Sequence, residues 1–435
     1  MGKYSYKLEC VRKTKFVIKR SCGGFAGVDS CSSEPLLSCT HSTVRNRRCI
    51  FCNQGMDGSF GLSFDYMLPG LRYSEEEVLG LKKRNTKALL RKRKLHLVLD
   101  LHHTLLHCRK IKSHSSGEKY LKKQVHPFNG SLFQIDDDNL VKLRPFVRTF
   151  LEQASSLLYK KAKLLAFGER GAARGERRKA GREQSAATVQ YFSWLVLSLL
   201  LLLIQIRALT SILKFSTRSF WMGTRCYTKA AVKLLDPDSK YFSSRIIARE
   251  HFNGKDRKNL DLVLGQERGI VILDDTESVW SDHTENLIVV AKYDYFRDKE
   301  LKGDHKSYSE TLTDESENEG ALASVLRVLK TIHRLFYDSV CGDVRTYLPK
   351  IRSGILKGCS LLFSDFEDFI RSSSRAEEMG ATCTIVIDSS VAHLVSTEPE
   401  DCLWAEQEEK FLVHPRWIDD CYFLWRRQPE DDYLP

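Results

Sequence analysis

Two apolar runs that stop abruptly at acids constrain this chain more than any other feature. Leu95-His96-Leu97-Val98-Leu99 ends in Asp100, and Gly269 to Leu273 ends in Asp274-Asp275. Runs of this length bounded by polar residues read as strands buried on both faces, which belong to parallel sheets. Strand-like and helix-like runs alternate from Lys94 to Phe296, through Val147 to Leu158, Lys229 to Leu235 and Leu287 to Ala291. That alternation predicts an α/β sheet protein. Open α/β sheets hold their ligands at the carboxyl ends of the strands, where these acids stand. Taken singly, each acid reads equally well as a turn or helix cap.

The remaining organisation divides 435 residues into more than one domain. Residues 1–93 mix short apolar runs with Ser, Gly and Arg and predict a basic, loosely ordered arm. Residues 94–298 hold the strand–helix alternation of the main domain, interrupted at about 160–220. Residues 299–345 hold an acidic, turn-rich linker from Ser309 to Gly320, followed by a helix in which Leu322, Val325, Leu326, Leu329, Ile332 and Leu335 recur at three- and four-residue spacing. Residues 346–435 carry a second alternating pattern that ends in Trp417 and Trp425, a separate small α/β domain.

The residues after the first strand, Asp100-Leu101-His102-His103-Thr104, resemble the D-x-D-x-T motif of haloacid-dehalogenase-type phosphotransferases. Further segments follow in the order found in RNA polymerase II C-terminal-domain phosphatases of the TFIIF-associating, plant-like type. Lys142-Leu143-Arg144-Pro145-Phe146-Val147 resembles their L-R-P-F segment, and Met222-Gly223-Thr224-Arg225-Cys226-Tyr227 their M-G-x-R-x-Y. Asp236-Pro237-Asp238 with Tyr241-Phe242 and Arg245-Ile246 matches the next segment, then Lys258-Asn259-Leu260-Asp261, then Asp274-Asp275 with Val279-Trp280. The resemblance implies a Rossmann-like phosphatase domain in which Asp100 is the nucleophile that becomes a phosphoaspartate. It implies that Thr104, Arg144 and Lys258 contact phosphate, and that Asp100, the backbone carbonyl of His102, Asp274 and Asp275 hold Mg²⁺, or Mn²⁺ or Co²⁺ in its place. A carboxylate nucleophile splits hydrolysis into two steps, and a hard cation screens its charge from the incoming phosphate.

Two positions depart from that pattern. His102 stands where the family has its acid/base aspartate; beside a cation it is expected to stay unprotonated and to serve as a poor general acid. Trp221 stands where the family has a small hydroxyl, and an indole cannot replace it beside a phosphoryl oxygen. An insert at about 160–220 has no counterpart in the family. It is basic and Gly-rich from Lys160 to Arg182 and apolar from Tyr191 to Ile206, a run of sixteen residues that is short of the roughly twenty needed to cross a bilayer. Ser216-Thr217-Arg218-Ser219-Phe220 lacks the apolar character of a central strand, so the insert is expected to displace the strand carrying the second motif. A retained intron or faulty gene model accounts for such a segment, a tolerated surface insertion being the alternative. The mature transcript is then expected to lack it, and an uninterrupted coding exon across 159–220 would sink that origin.

Leu356-Lys357-Gly358, Cys359 to Ser364, Gly380-Ala381-Thr382, Val391 to Val395 and Val413-His414-Pro415-Arg416-Trp417 together resemble a BRCT domain, with Trp417 as core. The resemblance makes Ser364 and Lys410 loose candidates for phosphoserine binding, against a plain protein-docking role. Cys39-x-His41 and Cys49-x-x-Cys52 place four ligand-type residues within fourteen positions, a candidate Zn²⁺ site or else a set of free thiols.

Lys and Arg exceed Asp and Glu by 68 to 56, concentrated in Arg47-Arg48, Arg91-Lys92-Arg93-Lys94 and Arg170 to Arg182; each cluster reads as a nuclear address, an anion-facing patch or a solvated face. Thirteen cysteines without a regular disulfide framework, and an opening with no signal peptide, predict a reducing, intracellular setting. The resemblance implies a nuclear protein serine phosphatase acting on the heptad repeats of the polymerase tail, with general transcription factors as further partners and neither membrane nor nucleic acid required. An inactive adaptor that keeps the BRCT module is the alternative.

Overall fold

The computed structural model describes residues 39–110, 120–121, 123–125, 130–135, 139–156, 216–221, 225–242, 246–248, 251, 257–297 and 307–435. Contacts separate residues 1–40 from one compact unit, His41–Pro435, whose fold follows. Tyr191 to Ile206, Arg170 to Arg182, Met222 to Thr224 and Arg245 lie outside the described residues.

The stretch expected to be a loose arm is ordered from its described start. Strands β1 (Thr43–Arg45), β2 (Arg48–Cys49), β3 (Leu62–Ser63) and β4 (Leu71–Tyr73) form an antiparallel sheet in the order β2-β1-β4-β3. Asn46 and Arg47 turn β1 into β2 with φ of 49° and 62°, the left-handed pair a tight hairpin needs. Helix α1 (Glu75–Leu90) follows. Ser74 caps it by accepting from the Glu77 amide, and Glu75, Glu76 and Glu77 lie on its positive end. The sequence misleads here because strands of two or three residues are too short to show a period. Tyr66 donating to the Leu262 carbonyl at 2.8 Å, Asn85 donating to that of Leu264 at 3.0 Å and Thr86 accepting from the Gln266 amide at 2.7 Å help tie the lobe down.

The main sheet is parallel throughout and has five strands: β5 (His96–Asp100), β9 (Ser216–Trp221), β10 (Ile246–Ala248), β11 (Ile270–Asp274) and β12 (Leu287–Val289), in the order β10-β9-β5-β11-β12. Every residue of β5 and β11 is buried, as their apolar runs predict. The chain builds outward from β5 to β9 and β10, then crosses back to β11 and β12 on the other side. The switch point falls between β5 and β11, where such sheets open a crevice at their carboxyl ends.

Ser216 to Trp221 was expected to fail as a central strand, and the structure corrects this. β9 lies between β5 and β10, with Asp100 opposite Phe220 and Ala248 opposite Trp221. A parallel ladder is made by main-chain groups, and leaving β5 without a neighbour would strand its buried amides and carbonyls.

A second, antiparallel sheet rises from the loop after β5: β6 (Leu106–Lys110), β7 (Leu132–Gln134) and β8 (Asn139–Leu143), ordered β6-β8-β7. Helices α2 (Val147–Ser156) and α3 (Arg225–Leu235) complete the domain. Asp236 closes α3 by accepting from the amides of Lys240, Tyr241 and Phe242, so the Asp-Pro segment is a turn-builder.

The acidic stretch is docked, not loose. Short helix α4 (Tyr308–Thr311) opens it, Asp314 pairs with Lys142 at 2.8 Å, and Glu315 pairs with Arg144 at 2.6 Å. The expected amphipathic helix is α5 (Ala321–Asp338), followed by α6 (Val344–Arg352). Strands β13 (Ser360–Phe363), β14 (Thr382–Thr384), β15 (His393–Val395) and β16 (Phe411–Val413) form the last sheet, parallel and ordered β14-β13-β15-β16. Helices α7 (Phe366–Glu378), α8 (Asp401–Gln407) and α9 (Arg416–Leu424) pack on it. Trp417 is wholly buried, as expected of core, and donates to the Gln428 carbonyl at 3.0 Å. The Arg352 guanidinium lies 4.0 Å from the Tyr422 ring centroid and 4.1 Å from that of Trp425, joining α6 to this domain. Among the described residues no helix is long and apolar enough to cross a membrane.

Candidate active site

The switch point brings together acids that lie far apart in sequence. Asp100 ends β5 and Asp274 ends the neighbouring β11, with Asp275 next along the chain; carboxylate oxygens of all three lie within 4.8 Å of one another. Lys258 enters from the loop before β11 and lies 2.6 Å from Asp100 Oδ1 and 2.6 Å from Asp274 Oδ2. Lys258, Asp100 and Asp274 are all buried.

Neighbours fix each group. Asp274 Oδ2 also accepts from the Trp280 indole at 2.8 Å, and its Oδ1 from the Thr276 amide at 2.9 Å. The Thr104 hydroxyl donates to Asp275 Oδ1 and accepts from the Asp275 amide, both at 3.1 Å. The second carboxylate pair is thus locked to the loop after β5.

Three carboxylates crowd around one ammonium, and two of them are raised by that crowding and by burial. Burial pushes Asp100 well above the ordinary carboxylate range, Lys258 opposes that, and Asp274 and Asp275 add to it. Burial and Asp274 likewise raise Asp275. Burial works against the Lys258 charge, but Asp100 and Asp274 hold its ammonium above the ordinary lysine value. Unbalanced buried negative charge on oxygen ligands fits a hard divalent cation, which Asp100, Asp274 and Asp275 could hold together.

Two residues expected to contact phosphate are engaged by protein partners. Arg144 is 1% exposed and its guanidinium is spent. It donates to both Glu315 oxygens, at 2.9 and 2.6 Å, to the Ala291 carbonyl at 2.9 Å and to the Thr104 carbonyl at 3.1 Å. Arg144 therefore buttresses the loop after β5. Thr104, fully buried, is bonded to Asp275 through those two hydrogen bonds.

His102 turns away from the acids. Its Nε2 accepts from the Cys108 amide at 3.3 Å, and its ring meets those of His103 and His107 at 4.0 and 5.5 Å between centroids. Donor atoms of these three histidines form a cluster separate from that of the three carboxylates. Burial first, and then His103, push His102 down to about 4. The ring is therefore neutral near pH 7, through burial among histidines instead of through a nearby cation.

In the last domain, Ser364 follows β13 at the carboxyl end of its sheet and donates to the Val395 carbonyl at 3.3 Å. Lys410 precedes β16 at the amino end, on the level of Ser360 through Ala392. Four residues of strand separate those levels, about 13 Å. Strand register thus sets the two residues at opposite ends of the sheet.

A parallel sheet that delivers acids from two adjacent strands onto one buried lysine, with a BRCT-like domain attached, has the architecture of an α/β phosphatase. A family described as NLI interacting factor-like phosphatase matches residues 95–161 and 209–319, and the BRCA1 C Terminus (BRCT) domain matches 352–422. RNA polymerase II C-terminal domain phosphatase-like 4 of Arabidopsis thaliana is 35% identical over 418 residues, covering 91% of this chain and 82% of that protein. This chain belongs to that family of RNA polymerase II C-terminal domain phosphatase-like proteins. Phosphatase-like 3 of the same plant is 29% identical over 388 residues, 82% of this chain but only 26% of that longer protein. The solved structure of Fcp1, an essential RNA polymerase II CTD phosphatase, superposes with a TM-score of 0.51 at 20% identity, over 81% of this chain and 99% of that one, and shows the shared fold. The phosphatase family leaves 162–208 unmatched between its two stretches, within the insert read from sequence.

Proposed function

We propose that this chain is a nuclear protein serine phosphatase that hydrolyses phosphoserine in the heptad repeats of the RNA polymerase II C-terminal domain through a phosphoaspartate on Asp100. The convergence of Asp100, Lys258, Asp274 and Asp275 at the β5/β11 switch point carries this reading. Asp100 attacks phosphorus and the serine oxygen departs; water then attacks the phosphoaspartate, returning Asp100 and releasing phosphate. Lys258 meets the phosphoryl oxygens with fixed positive charge held by Asp100 and Asp274. Mg²⁺ on Asp100, Asp274 and Asp275 would neutralise the incoming phosphate. The BRCT domain serves as a docking surface for a protein of the transcription machinery.

Proton delivery to the departing serine is the weak step, because a neutral His102 has no proton to give at pH 7. The same observation favours a second reading, an adaptor that binds the polymerase without turnover. Hydrolysis of a phosphorylated heptad peptide with Mg²⁺ separates them. His102→Asp is expected to raise turnover by about 10²-fold or more, the usual contribution of a positioned general acid. Excising residues 162–208, which the phosphatase family leaves unmatched and which spares β9, together with Trp221→Thr should raise it further. Unmodified chain that turns over as fast as His102→Asp would overturn the claim that this departure matters; no turnover by any form would leave the adaptor.

A further inference from the structure

The ordered lobe ahead of the phosphatase domain holds a cluster that the phosphatase reading does not use. His41 precedes β1, Cys49 ends β2, and Cys52 lies in the turn that follows. The Cys52 thiol lies 3.3 Å from His41 Nδ1. Cys39 stands two residues before His41 in the chain, and one donor atom from each of the four residues lies within 4.8 Å of the others. In a tetrahedral zinc site with Zn–S bonds of about 2.3 Å, neighbouring sulfurs stand about 3.8 Å apart. The cluster therefore needs a contraction of about 1 Å at most.

The backbone around Cys49 is shaped for a thiolate. The Phe51 amide donates to Cys49 Sγ at 3.4 Å, while the Cys49 amide donates to the Gln54 carbonyl and the Asn53 amide to the Cys49 carbonyl, both at 2.9 Å. Asn53 has a φ of 61° and His41 one of 46°, left-handed conformations that fold the Cys-x-x-Cys turn back and bring the imidazole in. Burial raises the Cys49 thiol, but hydrogen bonds from the Cys52 and Phe51 amides and from the His41 and Cys52 side chains outweigh it and bring the group down to about 7. The strands anchored here are two or three residues long, so the hairpin has little core of its own and a cross-link would supply what burial does not.

We propose that Cys39, His41, Cys49 and Cys52 form a structural zinc site that staples the β1–β2 hairpin to the chain entering it. Soft thiolates with one imidazole select zinc, whereas the all-oxygen site at the β5/β11 switch point suits a hard cation. The two sites are therefore chemically distinct.

The full chain, purified under reducing conditions with zinc present and then freed of loose metal, is expected to retain one equivalent of zinc that a thiol-specific reagent releases. Exchange with Co²⁺ should give the intense near-ultraviolet thiolate-to-cobalt bands that carboxylate and imidazole sites lack, a readout that needs no variant. Cys52→Ser should reduce bound zinc at least tenfold, while Cys341→Ser, at another exposed cysteine, should leave it unchanged. Unmodified chain with no zinc and no cobalt–thiolate absorption, or with a Cys49–Cys52 disulfide in its place, would overturn the proposal, as would full zinc retention in Cys52→Ser.

Discussion

Asp100→Asn is expected to abolish hydrolysis of a phosphorylated heptad peptide, by about 10⁴-fold or more, as removal of a nucleophile does elsewhere. An amide cannot form the acyl phosphate, and nothing else at the β5/β11 switch point is placed at the end of β5 to replace it. The same substitution should leave the unfolding midpoint equal to or above that of the unmodified chain. Two buried carboxylates and a half-buried third crowd around one ammonium, and Asn removes one negative charge while Lys258 keeps its 2.6 Å contact with Asp274. Activity and stability thus move in opposite directions, as at sites where function retains unfavourable charge. Paired peptide-hydrolysis and thermal-unfolding measurements check both halves. Turnover retained in Asp100→Asn would remove the nucleophile from this residue.

Lys258→Met should do the reverse to stability. The ammonium is the cation that bridges Asp100 and Asp274, and Lys258 is only 5% exposed. Its loss leaves buried carboxylates without a partner, and breaking a buried pair in this way costs about 3–5 kcal/mol. Hydrolysis should fall as well, since the fixed positive charge facing the phosphoryl group is gone. Denaturant unfolding with and without Mg²⁺ tests the cause: added cation should recover more stability in Lys258→Met than in the unmodified chain, because it replaces the missing charge. The double variant Asp100→Asn/Lys258→Met should be more stable than Lys258→Met alone, revealing the coupling between the two side chains. Equal stability of Lys258→Met and the unmodified chain would show that the lysine does not hold this site together.

Much of the phosphatase sheet was legible because burial on both faces leaves a local trace. β5 and β11 are written as apolar runs, and the acids that end them mark the carboxyl edge of a parallel sheet. α5 was legible for a similar reason, since its apolar residues repeat with the helix. β9 was misread because its polar residues show no such trace, although main-chain pairing with β5 and β10 holds it in the sheet. The lobe from β1 to β4 escaped because its strands are shorter than any period that could reveal them.

Side-chain roles divided along another line. Lys258 sits 158 residues from Asp100 and 16 from Asp274, yet its position was readable from the order of motifs. Arg144 was readable as a motif residue but not in its role, because Glu315, 171 residues on, neutralises it from a stretch that looked like a linker. Ser364 and Lys410 looked like partners until strand register put them at opposite ends of one sheet.

The sequence by itself determined the α/β class, the strand ends on which Asp100, Asp274 and Asp275 stand, the BRCT-like module with Trp417 in its core and the four zinc-type ligands within fourteen positions. These are local patterns, set by burial, chain direction and spacing. Only the tertiary structure decided that Arg144 and Thr104 brace the site, that His102 is held neutral among His103 and His107, and that the acidic stretch is docked. Those outcomes depend on which side chains meet after long loops close, and on burial that shifts a proton's affinity, neither of which local sequence encodes.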